Sequence, residues 1–269
     1  MSNRSIVLVG GGKMGSAMLE GWLKQGFAAG TMTVIDPHPS EALTARAAAT
    51  GFSLNPATPG EADVLVLAIK PQMLDVAAPL LETLAGPKTL VISVLAGKTI
   101  ANLAARMSRA SAFVRAMPNT PAAVGRGITG LAFSPDVSVD DAALAETLLG
   151  AIGTVVRVGD EALIDAVTAV SGSGPAYVFH MVECLARAGE AVGLPPAVAA
   201  RLARATIEGA GELLHQDKGS SPEQLRINVT SPGGTTAAAL AVLMADDGLG
   251  PLMQRAVIAA RDRAEQLSG

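Results

Sequence analysis

The stretch Gly10–Gly15 reads GGGKMG and matches the pattern G-x-G-x-x-G. It follows the apolar run Ile6–Gly10, which is typical of a short β-strand. It opens the segment Met14–Gln25, in which apolar residues recur at helical spacing. A lone match to this pattern says little, but a match between a strand and a helix is the context that a dinucleotide-binding turn requires. The start of the chain therefore predicts the first unit of a Rossmann-like fold.

Each glycine of this pattern has its own physical reason. Gly10 permits the tight turn, Gly12 lets the backbone approach a pyrophosphate, and Gly15 lets the helix pack closely against the strand. The helix N-terminus adds free N–H groups and the positive end of the helix dipole, and both favour phosphate. We therefore expect Gly10, Gly12, Lys13, Met14 and Gly15 to bind the cofactor. The alternative is a glycine-rich turn without a ligand.

Asp36 ends the second β run, Thr31–Asp36, 21 residues after Gly15. A carboxylate at this place can accept hydrogen bonds from the ribose hydroxyls of NADH, and it repels the 2′-phosphate of NADPH. The residues Pro37–Ser40 contain no arginine to bind that phosphate, and His38 is a weak substitute. Asp36 is therefore predicted to bind the ribose and to favour NADH, with NADPH left open. The alternative is a turn or N-cap residue.

The segment up to residue 159 alternates short β-like runs with helical stretches. Further strands are predicted at 63–69, 89–95, 112–115, 127–132 and 154–158, and further helices at 41–50, 71–84, 100–107 and 139–151. The run Asp63–Ile69 is apolar almost throughout, as expected of a parallel strand that is covered on both faces. This alternation predicts an α/β fold with a Rossmann-like, doubly wound parallel sheet.

From Asp160 onward the sequence pattern is helical. Helices are predicted at about 160–170, 175–192, 196–217, 221–228, 234–245 and 248–267. We place the domain boundary near Gly159. Residues 1–159 are then the dinucleotide-binding domain, and residues 160–269 form an all-helical domain.

The predicted helix 175–192 is apolar on nearly every side, with a polar stripe of only Glu183, Arg187 and Glu190. Such a helix is normally buried all round, and a domain that spans only residues 160–269 has little interior. The whole chain is 49% hydrophobic and 16% charged, against about 25% charged in average domains. We therefore expect a second subunit to cover this helix. A central helix in a monomeric bundle is the alternative.

Composition disfavours several kinds of partner. The net charge is −4, and no basic cluster exceeds two adjacent residues, so neither nucleic acid nor an anionic membrane is expected. Aromatic residues make up 3%, too few for a base-stacking platform. No apolar run reaches the ~18 residues of a membrane span.

The cysteine content indicates a compartment. Cys184 is the single cysteine, so a disulfide within the chain is impossible, as is usual in a reducing compartment. The apolar run near the N-terminus is shorter than that of a secretory signal. We therefore expect a cytoplasmic protein in which Cys184 serves buried packing.

The residue inventory narrows the reaction. Hydroxy-acid dehydrogenases use His or Lys as acid or base, but the helical domain has one lysine, Lys218, in a predicted loop, and two histidines, His180 and His215. This disfavours the β-hydroxyacid dehydrogenases, which place a catalytic lysine on a helix there. Metal-ligand clusters and a G-x-S-x-G elbow are lacking in the sequence. A cyclic imine fits better, because its protonated form accepts hydride without a strong enzymatic acid.

The loop Ser231–Thr236 reads SPGGTT and precedes the helix Ala237–Ala245. Its two glycines let backbone N–H groups converge, and the helix dipole adds positive potential. Both features suit a carboxylate. Thr235 or Thr236 can add a hydroxyl. The alternative is an ordinary helix N-cap after a Pro-Gly-Gly turn.

Four segments carry a resemblance to a known family. They are Ala68–Gln72 (AIKPQ), Arg115–Pro121 (RAMPNTP), Ala169–Tyr177 (AVSGSGPAY) and Val229–Thr236 (VTSPGGTT). In order and over almost the whole chain, they resemble motifs of the pyrroline-5-carboxylate reductases. The resemblance implies hydride transfer from NADPH or NADH to the imine carbon of 1-pyrroline-5-carboxylate, which gives L-proline in the last step of proline biosynthesis.

The resemblance also implies roles for single residues. Ala68, Lys70 and Pro71 would line the nicotinamide side of the cofactor site, and Asn119 would contact a cofactor ribose. The implied substrate-binding residues are Ser231, Gly233, Gly234, Thr235 and Thr236. Thr236 is the implied catalytic residue, with its hydroxyl near the ring nitrogen. The family further implies homodimers intertwined through the helical domain, often built into decamers.

Each implied role has a structural alternative. Lys70 and Pro71 could merely end a strand and begin a helix, and residues 117–119 could form only a structural turn. Ser171–Gly174 could be a packing bend, and Thr236 could cap a helix and do nothing more. Many family members lack an acid after the second strand and prefer NADPH, so Asp36 departs from the family pattern.

Two other functions stay open on the sequence. The enzymatic one is a reductase for a neighbouring cyclic imine, such as a six-membered ring. The non-enzymatic one is a nicotinamide-sensing or scaffold protein that keeps the fold without turnover.

Overall fold

The computed structural model describes residues 4–268, which fall into two compact units. The residues up to Ser173 and those from Ala260 onward form one, here called the sheet unit. Gly174–Ala259 form the other, here called the helical unit.

The sheet unit contains one eight-stranded sheet. Its strands are β1 (Ile6–Val9), β2 (Met32–Ile35), β3 (Ser53–Leu54), β4 (Val64–Leu67), β5 (Leu90–Ser93), β6 (Ala112–Met117), β7 (Gly127–Phe133) and β8 (Gly153–Arg157). Their order across the sheet is β3-β2-β1-β4-β5-β6-β7-β8. β1 pairs in parallel with both β2 and β4, with Ile6 opposite Met32 and Val64. The prediction of a Rossmann-like fold is confirmed.

One pairing departs from the expected parallel sheet, because β7 runs antiparallel to β6. The nine residues between them, 118–126, contain only the short 3-10 turn Thr120–Val124. A parallel return needs a crossover of about a dozen residues or more. The connection is therefore too short for the parallel arrangement that the β–α alternation predicted.

The sheet unit also contains six α-helices before Ser173. They are α1 (Lys13–Lys24), α2 (Glu41–Thr50), α3 (Leu74–Leu84), α4 (Ile100–Ala104), α5 (Val139–Gly150) and α6 (Leu163–Val167). The sequence places their starts well, since Ser40 and Ser138 cap α2 and α5 through bonds to the N–H groups of Leu43 and Asp141. Beyond α6 the chain continues as a π-helical turn, Thr168–Gly172, where a plain helix was predicted.

The central strands are buried on both faces, as predicted from their apolar sequences. On one face, Leu8 packs in a cluster with Met18 and Trp22 of α1. On the other, Leu65 packs in a cluster with Leu81 of α3. Trp22 is 1% exposed, and its indole N–H donates to the carbonyl of Leu148 at 2.8 Å. These two clusters hold the sheet edge that carries the candidate cofactor site.

The helical unit is built from α7 (Gly174–Ala191), α8 (Pro196–Gln216), α9 (Pro222–Asn228), α10 (Thr235–Leu243) and the first part of α11 (Leu249–Ser268). All five were predicted to within about two residues. α7 and α8 approach closely at Gly189. A Cβ on this glycine would lie only 3.1 Å from the Cβ of Ala199. Ala199 and Ala203 are buried on α8.

The single chain leaves the apolar sides of α7 open. No residue of α7 is buried, and Phe179 is 64% exposed and Leu185 42% exposed. Cys184 is exposed as well, so its expected burial is wrong for the single chain. The reason is that α8 packs against the Gly189 side of α7, whereas Cys184 lies beside the polar stripe, where Arg187 donates a hydrogen bond to its sulfur at 3.3 Å. Among residues 4–268, no helix is long and apolar enough to cross a bilayer.

Candidate functional site

The glycine-rich turn joins β1 to α1 at the carboxyl edge of the sheet. Gly10 has φ +104°, a conformation that favours glycine, and a Cβ there would lie 2.6 Å from the carbonyl carbon of Ala68. A Cβ on Gly15 would overlap the carbonyl oxygen of Gly10. Both glycines therefore allow the close packing of strand, turn and helix that the pattern predicts, and they place Ala68 against the turn.

Gly12 differs from its neighbours in having open space before it. Nothing lies within 4 Å of the position that a Cβ would take, and the residue is exposed. Gly12 is also the N-cap of α1. Because glycine has no side chain, this N-cap makes no side-chain capping hydrogen bond. The first N–H groups of α1, on Lys13 and Met14, thus lack a side-chain cap. The turn fits a pyrophosphate, because it combines an uncapped helix N-terminus with room for a ligand.

Asp36 lies one residue beyond β2 and is half-buried. Its Oδ2 accepts the N–H of Gly11 at 2.7 Å, and its Oδ1 accepts the N–H of His38 at 2.8 Å. The bond to His38 is a turn contact, as the structural alternative expected. The bond to Gly11 joins the carboxylate to the glycine-rich turn. Each oxygen keeps acceptor capacity for a ribose hydroxyl, so both readings of Asp36 are compatible.

Asn55 lies in this region and was not predicted from the sequence. Its side-chain amide bonds to the backbone N–H and carbonyl of Asp36, at 2.9 and 2.8 Å. The dipeptide Asn55–Pro56 is a turn signal, but it does not disclose a partner 19 residues earlier in the chain.

Ala68, Lys70 and Pro71 follow β4, the strand beside β1. The N–H of Ala68 donates to the carbonyl of Val9 at 2.8 Å, so pairing continues one residue past the strand. Lys70 is exposed and precedes a 3-10 turn that begins at Pro71. In open α/β sheets, ligands bind at the carboxyl ends of two adjacent strands whose connections run to opposite sides of the sheet. β1 and β4 are such a pair, because β1 connects to β2 on one side and β4 connects to β5 on the other. The position fits the nicotinamide side of the site, and the strand-exit alternative describes the same backbone.

Asn119 is only 9% exposed, and its side-chain amide is engaged within the protein. Its Oδ1 accepts the N–H of Ile128 at 3.0 Å, and its Nδ2 donates to the carbonyl of Ser171 at 3.1 Å. These bonds tie the start of β7 to the π-helical turn. They favour the structural alternative for Asn119, and its contact with the ribose stays a prediction.

The segment Ser171–Gly174 leads from the π-helical turn into α7. A Cβ on Gly172 would lie 2.7 Å from Cε of Met117. The N–H of Ser173 donates to the carbonyl of Thr168 at 2.8 Å. These contacts support the packing bend that was considered as an alternative.

The loop Ser231–Thr236 lies in the helical unit and leads directly into α10. Gly233 has φ +69°, and the N–H of Gly234 donates to the carbonyl of Ser231 at 3.0 Å. Gly234 is the N-cap of α10 and has no side-chain capping bond. Thr235 is exposed and Thr236 half-buried. The start of α10 therefore offers uncapped N–H groups of the kind that bind a carboxylate.

The described part of the chain shows no cluster of three or more His, Cys, Asp or Glu side chains that could hold a metal ion.

Known proteins resemble this chain over its whole length. A family model for pyrroline-5-carboxylate reductase dimerisation matches residues 161–267, and a model for coenzyme F420-dependent NADP oxidoreductases matches residues 5–97. A pyrroline-5-carboxylate reductase of Pseudomonas aeruginosa is 36% identical over 270 residues, covering 100% of this chain and 98% of that protein. The chain belongs to the pyrroline-5-carboxylate reductase family.

Other relatives agree with this assignment. A pyrroline-5-carboxylate reductase of Synechocystis is 46% identical over 207 residues, covering 76% of this chain and 75% of its own length. A solved pyrroline-5-carboxylate reductase from Coxiella burnetii is 36% identical, with both chains covered completely and a TM-score of 0.91. A Plasmodium falciparum pyrroline carboxylate reductase, solved with NADP bound, is 27% identical with a TM-score of 0.77. The family resemblance inferred from the four sequence motifs is confirmed.

Proposed function

We propose that the protein is an NAD(P)H-dependent imine reductase that converts 1-pyrroline-5-carboxylate to L-proline. Membership of the pyrroline-5-carboxylate reductase family supports the reaction. The structural observation that carries it is the pair of uncapped helix N-termini, at Gly12 and at Gly234. The first suits a dinucleotide pyrophosphate, and the second suits the carboxylate of a small substrate.

The cofactor would supply a hydride, and the residues of the sheet unit would hold it in place. In this proposal Gly10, Gly12, Lys13, Met14 and Gly15 bind the pyrophosphate through the turn and the start of α1. Asp36 accepts hydrogen bonds from the ribose, Ala68, Lys70 and Pro71 line the nicotinamide side, and Asn119 lies near a ribose. Asp36 favours NADH because its charge repels a 2′-phosphate, although the NADP oxidoreductase relationship leaves NADPH as a cofactor.

The substrate would bind through the loop Ser231–Thr236. Its carboxylate is proposed to accept hydrogen bonds from the backbone N–H groups of Gly233 and Thr235. Ser231 and Gly234 would shape the turn, because the N–H of Gly234 donates to the carbonyl of Ser231. The hydroxyl oxygen of Thr236 is proposed to accept a hydrogen bond from the protonated ring nitrogen. Hydride adds to the imine carbon, the C=N π electrons become the nitrogen lone pair, and the product is a secondary amine. Orientation supplies most of the catalysis.

The domain organisation and assembly are part of the proposal. Residues 1–159 would form the dinucleotide-binding domain and residues 160–269 the dimerisation and substrate domain. Family models at 5–97 and 161–267 support this division, whereas the compact units divide after Ser173 and group the residues from Ala260 onward with the sheet. A homodimer through the helical domain is supported by the open apolar sides of α7. The decamer is proposed from the family resemblance. The cytoplasmic location is proposed from the single cysteine, Cys184.

The test is the loss of reduced-nicotinamide absorbance with 1-pyrroline-5-carboxylate, run in parallel with NADH and NADPH. Turnover that depends on the imine supports the proposal. A faster reaction with a six-membered cyclic imine would replace this substrate with that one. Cofactor binding without turnover of any imine would contradict the enzyme and favour a sensor.

A further inference from the structure

Asn55 follows the short strand β3 and has a left-handed backbone. Its φ of +47° is the only positive value among the non-glycine residues that the structure describes. Its own N–H donates to the carbonyl of Val34 in β2 at 2.9 Å. The left-handed backbone conformation is uncommon for residues other than glycine, and asparagine is one of the few that tolerate it. The conformation therefore needs a reason in the surrounding structure.

The reason is where the side chain points. Oδ1 of Asn55 accepts the backbone N–H of Asp36 at 2.9 Å, and Nδ2 donates to the backbone carbonyl of Asp36 at 2.8 Å. β2 and β3 pair in parallel, with Val34 opposite Leu54. The left-handed turn thus lets the carboxamide act as one more peptide of β3, so that the pairing extends to the residue just beyond β2.

The residue held in this way is the predicted ribose ligand. Asn55 fixes both backbone polar groups of Asp36, and the N–H groups of Gly11 and His38 fix its two carboxylate oxygens at 2.7 and 2.8 Å. The carboxylate therefore has little freedom to turn away from the glycine-rich turn.

We propose that Asn55 is a positioning residue that sets the choice between NADH and NADPH by fixing Asp36. This inference rests on the proposed cofactor role of Asp36. A fixed carboxylate meets the two ribose hydroxyls of NADH without reorganisation, and it cannot move away from the 2′-phosphate of NADPH. A mobile carboxylate loses both effects, since it binds the hydroxyls less well and swings away from the phosphate.

Asn55→Gly tests the proposal, because glycine reaches the left-handed region without penalty and only the side-chain bonds are lost. The measurement is kcat/KM for the imine reaction with each cofactor. We expect the NADH-to-NADPH ratio to fall about fivefold through KM, with kcat within about twofold of the parent protein. An unchanged ratio, or an equal loss with both cofactors, overturns the proposal.

A double-mutant cycle separates positioning from a general effect. Asp36→Ala alone should lower the same ratio, and adding Asn55→Gly to it should change the ratio no further, because the two residues act as one unit. A further fall in the Asp36→Ala background shows that Asn55 acts by another route and sinks the idea. Ser53→Ala, at an exposed position of the same strand, is the matched control and should leave the ratio unchanged.

Cofactor titration keeps this test independent of the reaction. Kd for NADH and for NADPH is measured by nicotinamide fluorescence on the whole protein without imine. If no imine is turned over, the proposed reaction fails, but the ratio of the two Kd values still reports on Asn55. A ratio that falls in Asn55→Gly supports the positioning role, and an unaltered ratio refutes it.

Discussion

At the scale of the residue, the two candidate ligand-binding loops depend on glycine for different reasons. Gly10 and Gly15 make room for neighbouring backbone, whereas Gly12 faces open space. Substitutions at these positions therefore separate folding from ligand binding. In the same way, Thr236 in the proposed substrate-binding loop Ser231–Thr236 can be tested apart from the backbone N–H groups beside it.

Gly12→Ala and Gly15→Ala form a matched pair. Gly15→Ala should destabilise the protein by about 1–3 kcal/mol, because its Cβ overlaps the carbonyl oxygen of Gly10. Gly12→Ala should leave the melting temperature unchanged but weaken dinucleotide binding about tenfold or more. Thermal unfolding and fluorescence titration measure the two effects. Equal cofactor affinity in Gly12→Ala and the parent would contradict the placement of the pyrophosphate. Gly30→Ala, where a Cβ also meets open space, is the control.

Thr236→Ala should lower kcat/KM at least about fivefold, which corresponds to roughly 1 kcal/mol of transition-state stabilisation. The expectation follows from the place of Thr236 in the first turn of α10, beside the uncapped N–H groups. Thr236→Ser keeps the hydroxyl and should retain most of the activity. If the alanine variant stays within about twofold of the parent, Thr236 does no more than begin the helix.

At the level of secondary-structure elements, an ion-pair network in the sheet unit joins β6 to α6 and to the end of α11. Arg115 is 3% exposed, and its guanidinium bonds to Asp165 of α6 at 3.0 Å and to Glu161 at 3.3 Å. The hydroxyl of Ser268, in the last turn of α11, donates to the same Asp165 carboxylate at 2.9 Å. Glu161 also accepts the N–H of Ile100 at the start of α4 at 2.7 Å. One buried arginine thus connects a strand with three helical segments.

Arg115→Ala should destabilise the protein by about 3 kcal/mol or more, because it leaves the buried carboxylate of Asp165 without its partner. Adding Asp165→Asn should restore part of the loss, since the remaining charge is removed. Melting temperatures of the parent, the single variants and the double variant measure this coupling. Losses that merely add up would mean that the pair contributes independently.

At the scale of the whole molecule, the single chain has apolar surface that a soluble protein would not normally expose. Phe179 is 64% exposed and Val242 72% exposed, on different helices of the helical unit. The dimerisation model of the family matches this part of the chain. A partner subunit would cover this apolar surface. Its burial there would also account for the low fraction of charged residues.

Phe179→Asp should convert the assembly to a smaller species, because a charge would be buried in an apolar interface. Light scattering across a range of protein concentrations gives the mass of both proteins. Glu190→Ala, on the polar stripe of the same helix, is the control and should keep the parent mass. A Phe179→Asp variant with the parent mass would exclude this face of α7 from the interface.

The Rossmann-like turn, most strands and helices, and the family could all be predicted from the amino-acid sequence. These signals are local: they lie in periodicity, in the φ demands of glycine and in short motifs that keep their spacing. Three features become visible only in the folded chain: the antiparallel pairing of β7 with β6, the two-residue strand β3, and the internal hydrogen bonds of Asn119. The folded chain also brings together Asn55 and Asp36, which are 19 residues apart, and Arg115 and Asp165, which are 50 residues apart. Such bonds have no sequence pattern, because they depend on where the folded chain brings distant residues together.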